Sequence, residues 1–379
     1  SRMELKMKYA LIGCGRIAGN HIQAAIDNGL ELTAVCDAIP GRAGSLLRKF
    51  GLEEDRNIHR YVDYKQMLRE HPEIDLCAVA TDSGTHARIA LDCIQAGVHL
   101  MIEKPIAMSI KDAEEIIRQS REKGVTVSVC HQNRFNSAIQ AVRRAREEGR
   151  FGTLSHGAVH VRWFRDASYY RQAEWRGKWS SDGGCLMNQC IHGIDLLIWL
   201  MGSRVTKVYG AIRRRQHPYI EAEDVGMAVL EFADGTVAEI EGSTNVYPSD
   251  LEETLLICGD MGTVKIGGPS ATRIQYWKFA DRRTGDEAMA DLDEQTENIY
   301  GNGHSRLYRD VITAVREGRR PCADAEAGRN ALEVVLAIYE SQRTGMPVSL
   351  PLSDFSSADM EGIFDSGHQE GRRIRPGQD

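Results

Sequence analysis

The sequence predicts an α/β protein with two domains: an N-terminal domain around a parallel sheet and a C-terminal α/β domain built on an open, mainly antiparallel sheet. Through residue 150, short apolar runs alternate with longer amphipathic segments, which is the pattern of β-α units. After Gly152 the apolar runs follow one another without long helices between them, which favours antiparallel pairing. We therefore expect domains at 7–130 and 131–352 and a polar, loosely held or disordered tail at 353–379.

The first domain repeats one order of elements. Apolar runs predict strands at 9–12, 32–36, 76–80, 99–102 and 126–130. Amphipathic segments predict helices at 17–27, 43–50, 64–69, 86–96, 110–123 and 137–148. Gly29, Gly97 and Gly124 fall where a helix should end before the next strand. This repeated order predicts a parallel sheet with crossover helices.

The second domain contains mostly strands. They are expected at 154–164, 205–213, 225–232, 237–244, 253–258, 262–266 and 273–277. The stretches "ADGT" and "GDMGT" are predicted as turns between them. Helices are expected at 187–201, 305–317 and 325–344.

Composition excludes several classes of protein. The chain has 379 residues, with 47 basic and 54 acidic side chains and a net charge of −7, so neither nucleic acid nor an anionic membrane is expected as a partner. No apolar stretch reaches the roughly 18 residues of a membrane span, and no secretion signal is recognisable, so we expect a cytoplasmic protein. The nine cysteines form no Cys-x-x-Cys pair, and the spacing of Cys185 and Cys190 matches no zinc pattern. No metal site is therefore expected.

The first glycines of the chain stand in the context of a dinucleotide site. A strand leads into Gly13-x-Gly15-x-x-Ala18, a helix follows, and the next strand ends at Asp37. Gly13 permits the tight turn, and Gly15 lets backbone N–H groups approach a pyrophosphate. Asp37 accepts hydrogen bonds from ribose hydroxyls and repels a 2′-phosphate, so NAD is predicted rather than NADP. We expect the neighbouring residues Arg16 and Ile17 to contribute to this site; a purely structural turn is the alternative.

A second candidate site follows the fourth predicted strand. Glu103, Lys104 and Pro105 lie at the carboxyl end of a parallel strand, where ligands bind in such sheets. Lys104 at that edge is placed to hydrogen-bond a substrate hydroxyl, and partial burial would lower its pKa. A solvated turn is the alternative interpretation.

A third candidate site lies on the predicted helix at 187–201. Asn188, His192 and Asp195 fall at i, i+4 and i+7 and share one helix face. Polar groups on an otherwise apolar helix need partners or a cavity, since unpaired burial costs roughly 1 to 3 kcal/mol each. The pattern is consistent with a polar core network in which Asp195 orients His192, and also with a histidine acting as general base.

Four separated motifs together resemble one family of enzymes. The chain resembles the glucose-fructose oxidoreductase / inositol dehydrogenase (Gfo/Idh/MocA) family over about residues 7–352. The motifs that carry this resemblance occur in the same order and are "GCGRIA", "EKPIA", "NQCIHGID" and "AIYESQRTGMPVSLP". The resemblance implies a Rossmann domain, an α/β domain whose open sheet often serves oligomerisation, and a dimer or tetramer. It also implies that Lys104 is the catalytic lysine, that its bond to Pro105 is cis, and that His192 lies beside the substrate. The residues it implies at the cofactor are Thr81, His86, Glu103, Lys104 and Asn133.

One departure from the family narrows the expected substrate. Many members carry aspartate four residues before the histidine, where this chain has Asn188, so Lys104 and His192 would share the acid–base work. "MNQCIHGIDLL" is similar to the subgroup that oxidises the 3-hydroxyl of nucleotide-linked N-acetylated sugars such as UDP-N-acetylglucosaminuronate. The polyanionic substrate would meet arginines and tyrosines suited to phosphate and carboxylate. The residues expected to bind it are Arg162, Arg165, Tyr169, Arg171, Asn188, Gln189 and His192.

Two other functions remain open at this point. A dehydrogenase of a free polyol or monosaccharide would need no pyrophosphate site, and an NAD-binding regulator would need no catalytic residues. A solvated sheet edge or a subunit contact is the alternative interpretation of the arginines.

Overall fold

The computed structural model describes residues 5–295 and 303–365, together with the backbone of 368–369 and 372–373. The chain forms two compact units, each made of several segments. Unit 1 comprises Ser1–Ala107, Asp112–Gln132 and Asn302–Arg329, and unit 2 comprises Met108–Lys111, Asn133–Gly301 and Asn330–Asp379. The segment Asn302–Arg329, which the sequence analysis assigned to the second domain, therefore groups with unit 1.

The strands and helices lie close to the predicted positions. The strands are β1 (Lys8–Ile12), β2 (Glu31–Cys36), β3 (His59–Tyr61), β4 (Leu76–Val79), β5 (His99–Ile102), β6 (Val127–Val129), β7 (Leu154–Arg162), β8 (Val205–Arg213), β9 (Val225–Phe232), β10 (Val237–Ser243), β11 (Glu252–Gly259), β12 (Gly262–Gly267), β13 (Arg273–Phe279), β14 (Val348–Ser349), β15 (His368–Gln369) and β16 (Arg372–Arg373). The helices are α1 (Ala18–Asp27), α2 (Arg42–Lys49), α3 (Tyr64–Glu70), α4 (His86–Gln95), α5 (Ile110–Lys123), α6 (Ser137–Glu147), α7 (Ala167–Arg171), α8 (Cys185–Asn188), α9 (Ile191–Met201), α10 (Asp286–Met289), α11 (Gly303–Glu317) and α12 (Ala325–Thr344).

Unit 1 is organised around a six-stranded sheet in the order β3-β2-β1-β4-β5-β6, and each neighbouring pair is parallel. The predicted parallel sheet is thus confirmed. All residues of β4 are buried, as expected when helices cover both faces of a sheet. The short strand β3 was not predicted because His59, Arg60 and Tyr61 contain no apolar run.

Unit 2 is organised around an eight-stranded sheet in the order β13-β12-β11-β7-β10-β9-β8-β14. Its pairs are antiparallel except β7 with β10, which run parallel, so the predicted mainly antiparallel sheet is confirmed. Side chains of β9 alternate between buried and exposed positions, which is typical of a sheet with one covered face.

The helix expected at 187–201 is divided. Cys190 donates its N–H to the carbonyl of Cys185, five residues back, at 2.9 Å. This wider turn separates α8 from α9. The single face predicted for Asn188, His192 and Asp195 is therefore interrupted between the first residue and the other two.

The segment after residue 352 differs from the loosely held tail that its polarity predicted. Phe355, Met360 and Phe364 are buried, and the Ser357 hydroxyl donates to the carbonyl of Trp179 at 2.5 Å. Ser356 begins a short 3₁₀ turn with reciprocal side-chain and backbone hydrogen bonds. Three spaced apolar residues thus anchor 353–365; residues 366–367, 370–371 and 374–379 lie outside the described part of the chain.

Among the residues described, none of the helices has both the length and the apolar composition needed to cross a membrane.

Candidate active site

Two glycines in the turn after β1 have different roles. Gly13 has a φ of +101°, and a Cβ there would lie 2.4 Å from the carbonyl oxygen of Ala80, so only glycine fits. Gly15 is exposed, and a Cβ there would meet no protein atom within 4 Å. The space beside Gly15 at the start of α1 is thus open to a ligand, which is the arrangement that holds a pyrophosphate.

Asp37 lies directly after β2 and fixes the same turn. Its Oδ2 accepts the N–H of Cys14 at 2.8 Å, and its Oδ1 accepts the N–H of Ile39 at 2.8 Å. Each carboxylate oxygen has a second lone pair, and the side chain is half-buried, so it can also accept ribose hydroxyls. Arg16 is exposed, and Ile17 is the residue before α1. These residues fit a bound dinucleotide.

Glu103 lies after β5 in a buried network that the sequence analysis did not detect. Its Oε1 accepts hydrogen bonds from Nε2 of His21 at 2.7 Å and from Nε2 of His304 at 3.0 Å. The hydroxyl of Tyr308 bonds Nδ1 of His21 at 2.6 Å and the hydroxyl of Tyr9 at 2.7 Å. Burial alone would raise the pKa of Glu103, but the two imidazoles hold that pKa well below its usual range. Glu103 is therefore an ionised residue fixed from both sides.

This network positions the neighbouring lysine. Lys104 is half-buried, and the peptide bond to Pro105 is cis, as the family resemblance implied. Because Glu103 is fixed by α1 and α11, the backbone that carries Lys104 is fixed as well. No local pattern could have indicated this, since His21 and His304 lie 82 and 201 residues from Glu103.

The same network contains atom types that bind metals. Ligand atoms of His21, Glu103, Cys130 and His304 all lie within 4.8 Å of one another, and all four residues are buried. Glu103 Oε1 accepts direct hydrogen bonds from both imidazoles, which already satisfy it. The expectation that the protein needs no metal stays a prediction.

Other residues expected at the cofactor have structural contacts. His86 is buried, and its ring nitrogens lie 2.8 Å from the carbonyl oxygen of Pro105 and 3.0 Å from that of Thr81. Burial lowers the pKa of His86, although its hydrogen bonds to the two carbonyl oxygens act in the opposite direction, and the ring links the loops after β4 and β5. Asn133 is buried, and its Oδ1 has no hydrogen-bond partner among the described residues.

In unit 2, Asn188 is held by an aspartate that the sequence analysis did not single out. Nδ2 of Asn188 donates to Oδ1 of Asp182 at 2.6 Å. Oδ2 of Asp182 accepts the N–H of Gly177 at 2.7 Å, and Asp182 is 2% exposed. The only sequence signal was the position of Asp182 in "SSDGG", directly before the motif.

His192 and Asp195 lie on α9. His192 is half-buried, whereas Asp195 is buried and forms a two-pronged ion pair with Arg134, with N–O distances of 2.7 and 2.8 Å. The Arg134 guanidinium lies 4.6 Å from the ring centre of Trp199. Both carboxylate oxygens of Asp195 thus accept from Arg134, which accounts for its burial.

A group of aromatic, guanidinium and amide side chains lies in the segment around α7 and at the end of α8. The hydroxyl of Tyr169 accepts from Nε2 of Gln189 at 3.0 Å, and the guanidinium carbons of Arg165 and Arg176 lie 5.5 and 4.2 Å from its ring centre. The buried Arg176 Nε and Trp163 Nε1 have no acceptor among the described residues, and Gln189 Oε1 has no donor there. We call Trp163, Arg165, Tyr169, Arg176 and Gln189 the arginine–aromatic cluster.

The other predicted arginines have different surroundings. Arg162 on β7 forms ion pairs with Glu241 and Glu252, which supports the alternative of a paired arginine within the sheet. Arg171 at the end of α7 is exposed.

A buried charge pair holds the backbone of Arg165. His217 Nδ1 lies 3.0 Å from Oδ2 of Asp224, and its Nε2 lies 2.5 Å from the carbonyl oxygen of Arg165. Burial opposes protonation, but these hydrogen bonds and the Asp224 charge raise the pKa of His217. Since both partners only accept, His217 is held as an imidazolium.

The parallel sheet, the glycine turn and Asp37 define a dinucleotide-binding protein. The chain belongs to the Gfo/Idh/MocA oxidoreductase family: the model of its NAD-binding Rossmann fold matches residues 7–131, and the model of its C-terminal alpha/beta domain matches residues 143–350. The protein is an NAD-dependent enzyme, and the predictions of fold, family and cofactor are confirmed.

Several relatives cover nearly the whole chain. The WlbA dehydrogenase of Bordetella pertussis, solved in complex with NADH and UDP-GlcNAcA, is 36% identical, with a TM-score of 0.83 over 92% of this chain and 99% of that one. The corresponding enzyme of Chromobacterium violaceum, with the same ligands, is 34% identical, with a TM-score of 0.84 over 93% and 98%. The NAD(+)-dependent scyllo-inositol 2-dehydrogenase of Bacillus subtilis is 25% identical, over 92% of this chain and 97% of its own length.

Proposed function

We propose that the protein is a sugar dehydrogenase that oxidises the 3-hydroxyl of a nucleotide-linked N-acetylated sugar acid of the UDP-N-acetylglucosaminuronate type. The similarity to two dehydrogenases solved with UDP-GlcNAcA supports this substrate class. The sugar would be bound by unit 2, and NAD by unit 1.

The observation that carries the proposal is the arginine–aromatic cluster. Nε of Arg176 and Nε1 of Trp163 are buried hydrogen-bond donors without an acceptor among the described residues. Leaving a buried donor unsatisfied costs about 1 to 3 kcal/mol, so a ligand that brings acceptors would be favoured. A pyrophosphate or carboxylate supplies both the acceptors and the negative charge that guanidinium groups bind well.

The acid–base work is assigned to Lys104 and His192. One of these residues accepts the proton of the sugar hydroxyl as it is oxidised, and the other donates a hydrogen bond to the same oxygen. A base with a pKa near 7 suits this step, because an alcohol proton is hard to remove at neutral pH. Glu103, fixed by two imidazoles, positions the backbone of Lys104. Bound NAD+ supplies the hydride acceptor.

The test is turnover of UDP-N-acetylglucosaminuronate with NAD+, followed by NADH absorbance. We expect Lys104→Ala and His192→Ala each to lose at least about 100-fold in kcat, since positioned acid–base groups typically contribute 10²–10⁴-fold. Exposed residues of the same types, changed in Lys65→Ala and His156→Ala, serve as matched controls and should retain wild-type rates. Near wild-type turnover of both test variants, with NAD bound, would contradict the assignment of these residues.

A second candidate substrate is a free polyol, which the similarity to scyllo-inositol 2-dehydrogenase favours. Competition with UDP separates the two. If the arginine–aromatic cluster binds a nucleotide diphosphate, UDP should inhibit competitively against the sugar, and Arg176→Ala should weaken that inhibition. Oxidation of inositol without inhibition by UDP would favour the polyol; an NAD-binding regulator would oxidise neither.

We also propose that the protein forms a dimer or tetramer in the cytoplasm. The uncovered face of the unit 2 sheet carries large apolar side chains that are about half exposed: Tyr209, Met227 and Val229. A second copy of the chain would bury them. Light scattering coupled to gel filtration should give a molar mass of about two or four times 42.2 kDa, and the mass of a monomer would refute this proposal.

A further inference from the structure

We propose that Asp182 is a positioning residue that fixes the amide of Asn188 in one orientation, so that Asn188 presents its carbonyl oxygen to the substrate. This inference rests on the proposed function for its last step, because the substrate contact of Asn188 is itself part of that proposal. The orientation of the amide, in contrast, follows from contacts within unit 2 alone.

The chemistry of Asp182 determines the orientation. An ionised carboxylate has acceptor oxygens and no donor, so only the NH₂ side of the Asn188 amide can face it. The observed contact, Nδ2 of Asn188 to Oδ1 of Asp182 at 2.6 Å, is that arrangement. Oδ1 of Asn188 lies in the same amide plane but points away from Nδ2, and it can accept a hydrogen bond but not donate one.

The carboxylate of Asp182 is itself held in place. Its Oδ2 accepts the N–H of Gly177 at 2.7 Å, and its own N–H donates to the carbonyl of Lys178 at 2.9 Å. Only 2% of Asp182 is exposed, so water does not compete for these contacts. The loop before α8 therefore carries a fixed carboxylate that acts on the last residue of that helix.

The ionisable groups around Asp182 are compatible with its charge. Desolvation by burial raises the pKa of both Glu223 and Tyr170, and the charge of Asp182 adds a smaller increase. The pKa of Glu223 is about 8, so it is neutral at pH 7 and adds no second negative charge there. Tyr170 is neutral as well.

This pair explains how the chain accommodates asparagine where many family members have aspartate. A carboxylate at position 188 would lie 2.6 Å from that of Asp182, and like charges that close cannot both ionise. An amide removes the repulsion and keeps an acceptor oxygen for the substrate. In this chain the carboxylate of the pair is that of Asp182, and Asn188 supplies the amide.

The experiment compares the wild type with Asp182→Asn, Asn188→Asp and the double variant that exchanges the two residues. In Asp182→Asn, the Oδ1 of the new asparagine still accepts a hydrogen bond from the N–H of Gly177, and its Nδ2 faces Asn188. Asn188 must then turn its Oδ1 inward and its NH₂ outward. We expect kcat/KM for UDP-N-acetylglucosaminuronate to fall at least tenfold, with unchanged NAD affinity because the NAD residues of unit 1 are untouched.

In Asn188→Asp, two carboxylates face each other and one must bind a proton. The melting temperature of the Asn188→Asp variant should fall relative to that of the wild type as pH rises from 5 to 9. The kcat/KM of this variant should also depend on pH in that range. The double variant restores one amide donor and one carboxylate acceptor. We expect it to regain a wild-type melting profile and to return to within about fivefold of wild-type kcat/KM.

A merely structural role of Asp182 predicts different results. Wild-type kcat/KM for Asp182→Asn, or a double variant no better than the worse single variant, would overturn the inference. If Asp182→Asn fails to fold, the comparison of Asn188→Asp with the double variant still tests whether Asp182 positions residue 188. If the wild type does not oxidise UDP-sugars, the proposed function fails, while the pH dependence of melting still tests the paired amide and carboxylate without substrate.

Discussion

The two glycines of the cofactor turn allow a sharp test, because the structure assigns a folding role to one and a binding role to the other. A Cβ at position 13 would lie 2.4 Å from the oxygen and 2.5 Å from the carbon of the Ala80 carbonyl, at a φ of +101°. A Cβ at position 15 would meet nothing within 4 Å. We therefore expect Gly13→Ala to destabilise the fold and Gly15→Ala to weaken NAD binding.

The magnitudes follow from these contacts. For Gly13→Ala, a left-handed backbone costs roughly 1 to 2 kcal/mol and overpacking roughly 1 to 3 kcal/mol, together about 2 to 5 kcal/mol. This lowers the melting temperature on the order of 10 °C. For Gly15→Ala, the free energy of unfolding should change by less than about 0.5 kcal/mol, as is usual at an exposed position. The added methyl group would crowd the pyrophosphate and weaken binding by about 1 to 3 kcal/mol, which raises the Kd for NAD about 5- to 150-fold.

The assays are thermal unfolding without NAD and calorimetric titration with NAD. Gly235→Ala is the matched control for backbone strain, because Gly235 has a φ of +89° but no atom within 4 Å of the added Cβ. The melting temperature of Gly13→Ala should be well below that of Gly235→Ala. An equal melting temperature for these two variants, or wild-type NAD affinity for Gly15→Ala, would refute the reasoning.

Three further predictions concern buried ionisable residues of unit 2. Asp195→Asn leaves Arg134 buried without its charge partner and should lower the free energy of unfolding by about 3 to 5 kcal/mol in urea titration, whereas Glu53→Gln, which breaks an exposed ion pair, should change little. Burial raises the pKa of Glu253 to about 8; because that pKa exceeds the unfolded value, folding loses stability as pH rises from about 4.5 to 8, by roughly 3 kcal/mol at pH 7. Glu253→Gln should therefore gain stability over the wild type at pH 8 but not at pH 4, and parallel curves would disprove this. The raised pKa of His217 stabilises the fold fully below its unfolded pKa of about 6.5, and this contribution is lost as pH rises through the folded pKa. The melting difference between wild type and His217→Asn should thus be large at pH 6 and shrink toward pH 9, and a constant difference would contradict the assignment.

Local patterns were sufficient for most of the fold. The strand β5 was predicted at its observed bounds, and helix α5 as well, because an apolar run and an amphipathic period each depend on neighbouring residues only. The errors arose where local signals are weak. The edge strand β3 is three polar or aromatic residues long, and the helix at 187–201 is divided by one wide turn at Cys190.

The candidate site divides in the same way. That Gly13, Gly15 and Asp37 share one turn was predictable, because this turn is assembled from one β-α-β segment. The partners of Glu103 were not, since His21 and His304 are brought to it only by the packing of α1 and α11 in unit 1. The interpretation of Asp195 also depended on tertiary structure, because its partner Arg134 lies 61 residues away.

The sequence by itself thus determined the class of fold, the family and the cofactor, since each depends on short motifs whose own residues are close together along the chain. The tertiary structure alone decided which polar residues are charged, paired or oriented. Arg162 is paired with two glutamates, His217 is held as an imidazolium, and the amide of Asn188 is turned by Asp182. Burial and hydrogen bonding between distant segments set these states, because the free energy of a charge or a donor depends on the atoms around it.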